Sequence, residues 1–227
     1  VGLGGGSGYL AIMGLFNIDP AVMKPTALTL NILVASIGTY KYARAGHFNW
    51  KLFLPFALTS IPFAFLGGRL NLNSLLYKGV VGAILLLAAV RLFYAAYKKR
   101  ENDPSPPPLW AAFLSGALIG FVAGITGVGG AVFLSPLILL MNWATPKETA
   151  GVSTVFVLTN SVAGILGHWS STSHFPPQIL YWGIAVIIGG WIGAEYGSRK
   201  LPNSFIRQML AAILLLGGIK MLSAALG

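Results

Sequence analysis

The stretch Thr126-Gly127-Val128-Gly129-Gly130 interrupts an apolar segment that runs from Leu109 to Met141. The 33 residues of that segment would form a straight helix of about 50 Å, which is too long for one bilayer span at modest tilt. A cluster of glycines is a strong local helix breaker. Two interpretations follow from the sequence: a single broken, tilted helix, or a re-entrant hairpin that enters the bilayer and returns.

The same glycine pattern occurs near the start of the chain, as Gly2-Leu3-Gly4-Gly5-Gly6, 125 positions earlier. Further along, Ala83–Leu87 recurs as Ala212–Leu216 with an offset of 129. The growing offset is what a few loop insertions in the second copy would produce. Internal duplication in an apolar chain indicates a transporter or channel built from two related halves.

The two copies differ at their beginnings. An apolar segment, Leu109–Ile125, precedes the second glycine cluster, whereas the first cluster follows directly on Val1. If the halves match, about 17 residues are expected upstream of Val1, and the chain begins inside its first helix.

Composition places the chain in a lipid bilayer. Of its 227 residues, 56% are hydrophobic and 9% are charged, against about 25% charged in soluble domains. The net charge of +10 is concentrated in short gaps between apolar runs, which argues against nucleic-acid binding. With 3 histidines, 5 acidic residues and no cysteine, we expect no metal site and no cofactor. The apolar runs are Thr26–Tyr40, Leu52–Leu70, Gly79–Tyr97, Leu109–Met141, Thr149–Trp169, Ile179–Tyr196 and Phe205–Leu226.

A charged and then proline-rich stretch, Lys98–Pro108, separates the two copies. We therefore divide the chain into a first transmembrane repeat at 1–100, a cytoplasmic linker at 101–108 and a second transmembrane repeat at 109–227. Each repeat is predicted to contain a Gly-broken, re-entrant helical element and three transmembrane helices. The predicted fold is an all-α polytopic membrane protein with about eight hydrophobic segments.

The cations discriminate between parallel and inverted halves. If the broken element crosses the bilayer, the halves are parallel and the loop cations divide six against seven. If it is re-entrant, the halves are inverted and the division is ten against three, as the positive-inside rule requires. The three outer cations would be Lys24, Arg69 and Lys78. We therefore favour inverted repeats with a cytoplasmic linker.

The glycine clusters are the best candidate binding site. Non-helical backbone inside a membrane is tolerated where protein buries it or where it lines a cavity. A helix that restarts after such a break presents free N–H groups and a positive dipole end, which together favour an anion. The alternative is that these glycines only allow close helix packing.

Small polar side chains on the helices after the breaks are candidates to complete the site. The predicted substrate-binding residues are Gly4, Gly5, Gly6, Ser7, Thr29, Gly129, Gly130, Ala131, Ser153 and Thr154. The remaining small polar residues of these helices, among them Asn31, Asn160 and Ser161, are interpreted as interhelical hydrogen-bonding groups. We interpret Arg91 and Lys220 as snorkelling cations.

Asp19 and Glu148 precede or begin apolar helices, and we interpret both as helix caps.

As an ensemble, the motifs resemble the TauE/SafE sulfite exporter family of anion transporters. The resemblance rests on Gly2-Leu3-Gly4-Gly5-Gly6 and Thr126-Gly127-Val128-Gly129-Gly130, on the Thr/Ser-bearing helices that follow, and on Gly67-Gly68-Arg69-Leu70 with Gly193-Ala194-x-x-Gly197-x-Arg199. It covers essentially the whole chain. It implies transport of sulfite, of organosulfonates such as sulfoacetate, or of related sulfur oxyanions across an inner cell membrane. Glu195 departs from the family pattern, in which a small or apolar residue is more usual.

Two function classes remain after these observations. The leading hypothesis is a secondary transporter that exports small sulfur oxyanions by alternating access, and the alternative is an anion channel with a Gly-rich filter. The chain lacks paired carboxylates and a Ser/His/Asp constellation, so we expect no catalytic residues and no enzyme. The expected partners are a small anionic substrate, the lipid bilayer and, as a candidate assembly, a second copy in a homodimer.

Overall fold

The computed structural model describes residues 5–94, 104–168, 179–199 and 203–226. Gly2, Leu3, Gly4 and linker residues 101–103 lie outside this part of the chain. The described residues form nine α-helices and no strand, which confirms the all-α prediction. The helices are α1 (Gly6–Leu15), α2 (Pro20–Arg44), α3 (Trp50–Arg69), α4 (Ser74–Tyr94), α5 (Leu109–Thr126), α6 (Ala131–Leu140), α7 (Pro146–His168), α8 (Ile179–Arg199) and α9 (Asn203–Leu226).

Helix lengths and exposed faces are those of a polytopic membrane protein. α2, α3, α4, α5 and α7 contain apolar windows long enough to cross a bilayer. α8 and α9 have 21 and 24 residues, whereas α1 and α6 have 10 residues each, about half a span. Large apolar side chains are exposed on the outer helix faces, including Leu54, Leu58, Leu66, Leu114 and Leu118. Such an apolar surface is expected to face lipid and not water.

The glycine-broken segment is a helical hairpin. α5 ends at Thr126, and Gly127 caps it in the left-handed conformation with φ 82°. α6 then returns toward the start of α5, because the amide of Ser105 donates to the carbonyl of Asn142 at 2.9 Å. A single broken helix would hold those two ends far apart, so the sequence alternative of one tilted helix does not describe this segment.

The two copies share backbone conformation at matched positions. Gly5 and Gly130 precede α1 and α6 with φ 81° and 88°. Asn17 and Asn142 follow those helices and are the two non-glycine residues with positive φ in the described chain, at 55° and 57°. The hydrogen bonds that end the two helices also match: Phe16 N to Ile12 O with Met141 N to Leu137 O, and Ile18 N to Met13 O with Trp143 N to Ile138 O.

Two pairs of matched helices pack antiparallel to each other. In α2 and α7, Gly38 lies against Thr154, while Leu28 lies against Gly164. The residue number therefore rises along one helix as it falls along the other.

α4 and α9 show the same relation, because Gly79 lies against Ala225, Gly82 against Leu222 and Gly218 against Leu86. Small residues let these helices approach closely, as in membrane bundles generally.

A glycine stripe on α5 packs parallel to α3. Gly116, Gly120 and Gly124 recur every fourth residue and so lie on one helix face. A Cβ at Gly120 would overlap the carbonyl oxygen of Ser60, and one at Gly124 would overlap that of Ala64. This contact fixes the hairpin against the second long helix of the first half.

Side-chain caps begin two helices, as the sequence predicted. The carboxylate of Asp19 accepts from the amide of Ala21 at 2.8 Å. Glu148 accepts from the amide of Thr145 at 3.1 Å, and the Thr145 hydroxyl accepts from the amide of Glu148 in return. This reciprocal pair is a capping box, which satisfies two amide groups at the start of α7.

Candidate functional site

The site is built from two helix starts that meet inside the bundle. Left-handed glycines, Gly5 and Gly130, immediately precede α1 and α6. Other residues rarely adopt this conformation, so glycine is needed at the turns from which α1 and α6 begin. A Cβ at Gly6 would overlap the carbonyl oxygen of Val128, which places the tip of the first half against the tip of the hairpin. We call Gly5–Ser7 and Gly127–Ala131 the two tips.

The first backbone amides of α1 and α6 precede the intrahelical hydrogen bonds. The first amides of a helix have no carbonyl partner within it. In α6 the intrahelical bonds begin with the amides of Phe133 and Leu134, which both donate to the carbonyl of Gly130. The amides of Ala131 and Val132 therefore precede the ladder, at the positive end of the helix dipole.

Asn31 of α2 lies between the tips. Its side chain has no exposed surface, and its Nδ2 donates to the carbonyl of Gly127 at 3.1 Å. A Cβ at Gly6 would lie 2.7 Å from this Nδ2, and a Cβ at Gly129 would lie 3.0 Å from it. Asn31 thus links a helix of the first half to the tip of the second, which confirms the prediction of an interhelical hydrogen bond for this residue.

Most of the two tips is buried, whereas Gly5 is partly exposed. Ser7 is 2% exposed and Val128 is 0% exposed. Ala131 packs with Ala35 and Val157, so the start of α6 is held between α2 and α7. A ligand would reach the tips only after these helices move apart.

The predicted hydroxyl groups have internal partners. Thr29 donates to the carbonyl of Pro25 at 2.9 Å, and Thr154 donates to that of Ala150 at 2.7 Å. Ser153 is buried and shares a 2.7 Å hydrogen bond with Ser135 of α6. Of the predicted residues, the structure brings together Gly5, Gly6, Ser7, Gly129, Gly130 and Ala131 at the tips. Gly4 lies outside the described residues.

Several other buried polar groups of α2 and α7 have no partner. The Oδ1 atom of Asn31, the hydroxyl of Ser161 and both amide atoms of Asn160 are buried without a hydrogen bond. Ser161 lies beside the hairpin tip, because a Cβ at Gly129 would be 3.5 Å from its Oγ. The prediction that Asn160 and Ser161 make interhelical hydrogen bonds is therefore wrong. An asparagine in the middle of an apolar span was the available signal, since such groups are costly without a partner.

Lys24 is not an outer loop cation, which corrects the sequence interpretation. It lies in the second turn of α2, is 5% exposed, and donates to the carbonyls of Gly68 and Leu70 at 2.8 and 3.0 Å. Its ammonium group therefore caps the carboxyl end of α3, where the helix dipole favours a cation. Lys220 likewise donates to the carbonyl of Leu15 at the end of α1.

A groove of about 280 Å³ lies on the hairpin at the end opposite the tips. Trp110, Leu114, Leu137 and Met141 are among its lining residues, so its walls are mainly apolar and offer an anion little. Within the described ranges no group of three or more metal-ligating side chains comes together.

Five helices long and apolar enough to cross a bilayer, together with short helices that begin at buried glycine breaks, are typical of membrane transporters and channels. A model of the sulfite exporter TauE/SafE family matches residues 1–221. The chain belongs to this family.

Proteins of similar sequence are named as probable membrane transporters. It is 42% identical over 225 residues to the probable membrane transporter protein y4hK of Sinorhizobium fredii, covering 98% of this chain and 91% of that protein. It is 25% identical over 240 residues to the probable membrane transporter protein YjnA of Bacillus subtilis, covering 97% and 92%. No solved structure matches the chain significantly. The protein is therefore a multi-pass membrane transporter.

Proposed function

We propose that this protein is a secondary transporter that exports small sulfur-containing oxyanions, such as sulfite, sulfoacetate or other organosulfonates, across the inner cell membrane. The main observation behind the proposal is that the start of α1 lies against the tip of the hairpin, because Gly6 is in contact with the carbonyl of Val128. Family membership supports the choice of a sulfur oxyanion. The homodimer and the absence of a nucleic-acid partner stay predictions.

Neutral groups would hold the anion. Backbone amides at Gly5–Ser7 and Gly130–Val132 would contact its oxygens, helped by Ser153 and, after rotation of their hydroxyls, by Thr29 and Thr154. Each dipole end contributes about 0.3–1 kcal/mol when exposed and up to about 2 kcal/mol when partly buried. Binding of this strength is reversible, which a carrier requires since it must release what it binds.

Inverted halves are the second part of the proposal. Antiparallel packing of the matched pairs, α2 with α7 and α4 with α9, supports it. A two-fold axis along the membrane normal would leave matched helices parallel, whereas an axis in the membrane plane reverses them. Alternating access would then be a rocking of one half against the other around the tips.

The closed tips favour a carrier over a channel. A pore through the site would need an open path past Asn31 and Val128, and both are 0% exposed. Transport in the proposed mechanism requires the start of α1 to move away from the hairpin tip, which opens the contact of Gly6 with the Val128 carbonyl.

A binding screen followed by flux measurements tests the function. Purified protein would be melted in the presence of sulfite, sulfate, thiosulfate, sulfoacetate or taurine, with chloride as the control. We expect at least one sulfur oxyanion to raise the melting temperature above the chloride value, and its flux into proteoliposomes to saturate with concentration. Absence of both effects would refute the function, and non-saturating flux with single-channel currents would show a channel instead.

A further inference from the structure

We propose that the tip site selects oxyanions that carry a hydroxyl group, and that Asn31 is the residue that recognises this hydroxyl. The inference rests on the proposed function and concerns which members of its substrate class are bound. Its basis is an unsatisfied acceptor at the meeting point of the two helix starts.

The orientation of the Asn31 amide is fixed by its partner. Nδ2 faces the carbonyl oxygen of Gly127, which can only accept. The Oδ1 atom therefore points elsewhere, and it is buried without any hydrogen bond. A Cβ at Gly6 would lie 2.9 Å from Oδ1, so this acceptor is at the start of α1, where the helix amides would hold an anion.

Donors and acceptors at the tips therefore make different demands on a ligand. Amides of the helix starts donate, and they suit any oxyanion. Asn31 Oδ1 can only accept, and a buried acceptor without a donor is costly. A fully deprotonated oxyanion has only acceptor oxygens and would place one of them against Asn31 Oδ1. A hydroxyl group on the ligand would instead donate a hydrogen bond to Oδ1. The hydroxyl of Ser161 can donate or accept, so it does not make this distinction.

Two anions that differ by one hydroxyl test the inference directly. Ethanesulfonate and 2-hydroxyethanesulfonate carry the same charge and the same sulfonate group. By calorimetry on the purified protein, we expect the hydroxylated anion to bind about ten-fold more tightly, because it alone satisfies the buried acceptor. Equal affinities, or tighter binding of ethanesulfonate, would overturn the inference and leave the transport function standing. Binding of neither anion would overturn the inference, and the screen with sulfite and sulfoacetate would decide the transport function separately.

Variants on α2 assign the preference to Asn31. In Asn31→Ala the ratio of the two dissociation constants should fall to near one, mainly because the hydroxylated anion loses affinity. Ser36→Ala is the matched control, since its hydroxyl is exposed and donates within α2 to the carbonyl of Ile32, and it should keep the ratio. If Asn31→Ala does not fold, Asn31→Ser withdraws the same carbonyl and carries the comparison. A ratio unchanged in the Asn31 variant would overturn the assignment.

Discussion

Gly129 combines two constraints that no other residue type meets together. Its φ is +81°, and an added Cβ would lie 2.9 Å from Cγ1 of Val157 and 3.0 Å from Nδ2 of Asn31. Both the backbone conformation and the space therefore require glycine. The residue shapes the hairpin tip directly beside the side chain that crosses from the other half.

Replacing Gly129 with alanine should reduce transport at least about ten-fold, because the strained backbone and the displaced Asn31 cost of order 1–3 kcal/mol at the site. Flux into proteoliposomes, normalised to folded protein, is the measurement. Gly189→Ala is the matched control, since a Cβ there meets nothing within 4 Å, and it should transport normally. Normal flux from Gly129→Ala would leave close packing as the better explanation of the glycine cluster.

Sequence reasoning identified the tip glycines but not the side chains around them. The glycines recur at a fixed offset and break an apolar run, and both signals are local. The environments of Asn31 and Lys24 depend on segments far along the chain, at Gly127 and at Gly68. No local pattern indicated that one asparagine would lie between the tips, or that a lysine near a helix start would be buried.

At the scale of helices, the contact of α5 with α3 determines where the hairpin lies. Gly120 has no room for a side chain, because its Cβ would overlap the carbonyl oxygen of Ser60. The close approach is possible because Gly116, Gly120 and Gly124 lie on a single face.

Gly120→Val should force the two helices apart and destabilise the protein by about 1–3 kcal/mol, as overpacking does in tight cores. Thermal unfolding in detergent measures the effect as a lower melting temperature. Leu118→Val on the exposed face of the same helix, where Leu118 is 60% exposed, should melt like the wild type. Equal melting temperatures for the two variants would contradict the close contact.

The direction of the chain after Gly127 was the part of the fold that the sequence left open. Hydrophobicity is the same for a helix that continues and for one that turns back, so the Leu109–Met141 segment supported both interpretations. Only the cation count favoured the hairpin. The contact from Ser105 to Asn142 decides between them, and it joins residues that a continuous helix would place at opposite ends.

For the whole molecule, the proposed transport mechanism depends on the relation between the two halves. Lys24 is buried at the end of the bundle where α3 ends, and the proposed inverted arrangement leaves Arg69 and Lys78 as the outer loop cations. Gly151 lies against the carbonyl of His47, so the start of α7 and the loop before α3 are at one end of the bundle. Asn71 follows α3 and lies at the other end.

Cysteine accessibility in intact cells tests the central claim most directly, and the chain has no native cysteine to interfere. Single cysteines would replace Arg44, Lys147 and Asn71, and a membrane-impermeant thiol reagent would be applied before and after permeabilisation. The account predicts that the Asn71 position is labelled in intact cells and that the Arg44 and Lys147 positions are labelled only after permeabilisation. Labelling of Arg44 and Lys147 from opposite sides would contradict inverted halves and, with them, a site formed by two opposed helix starts.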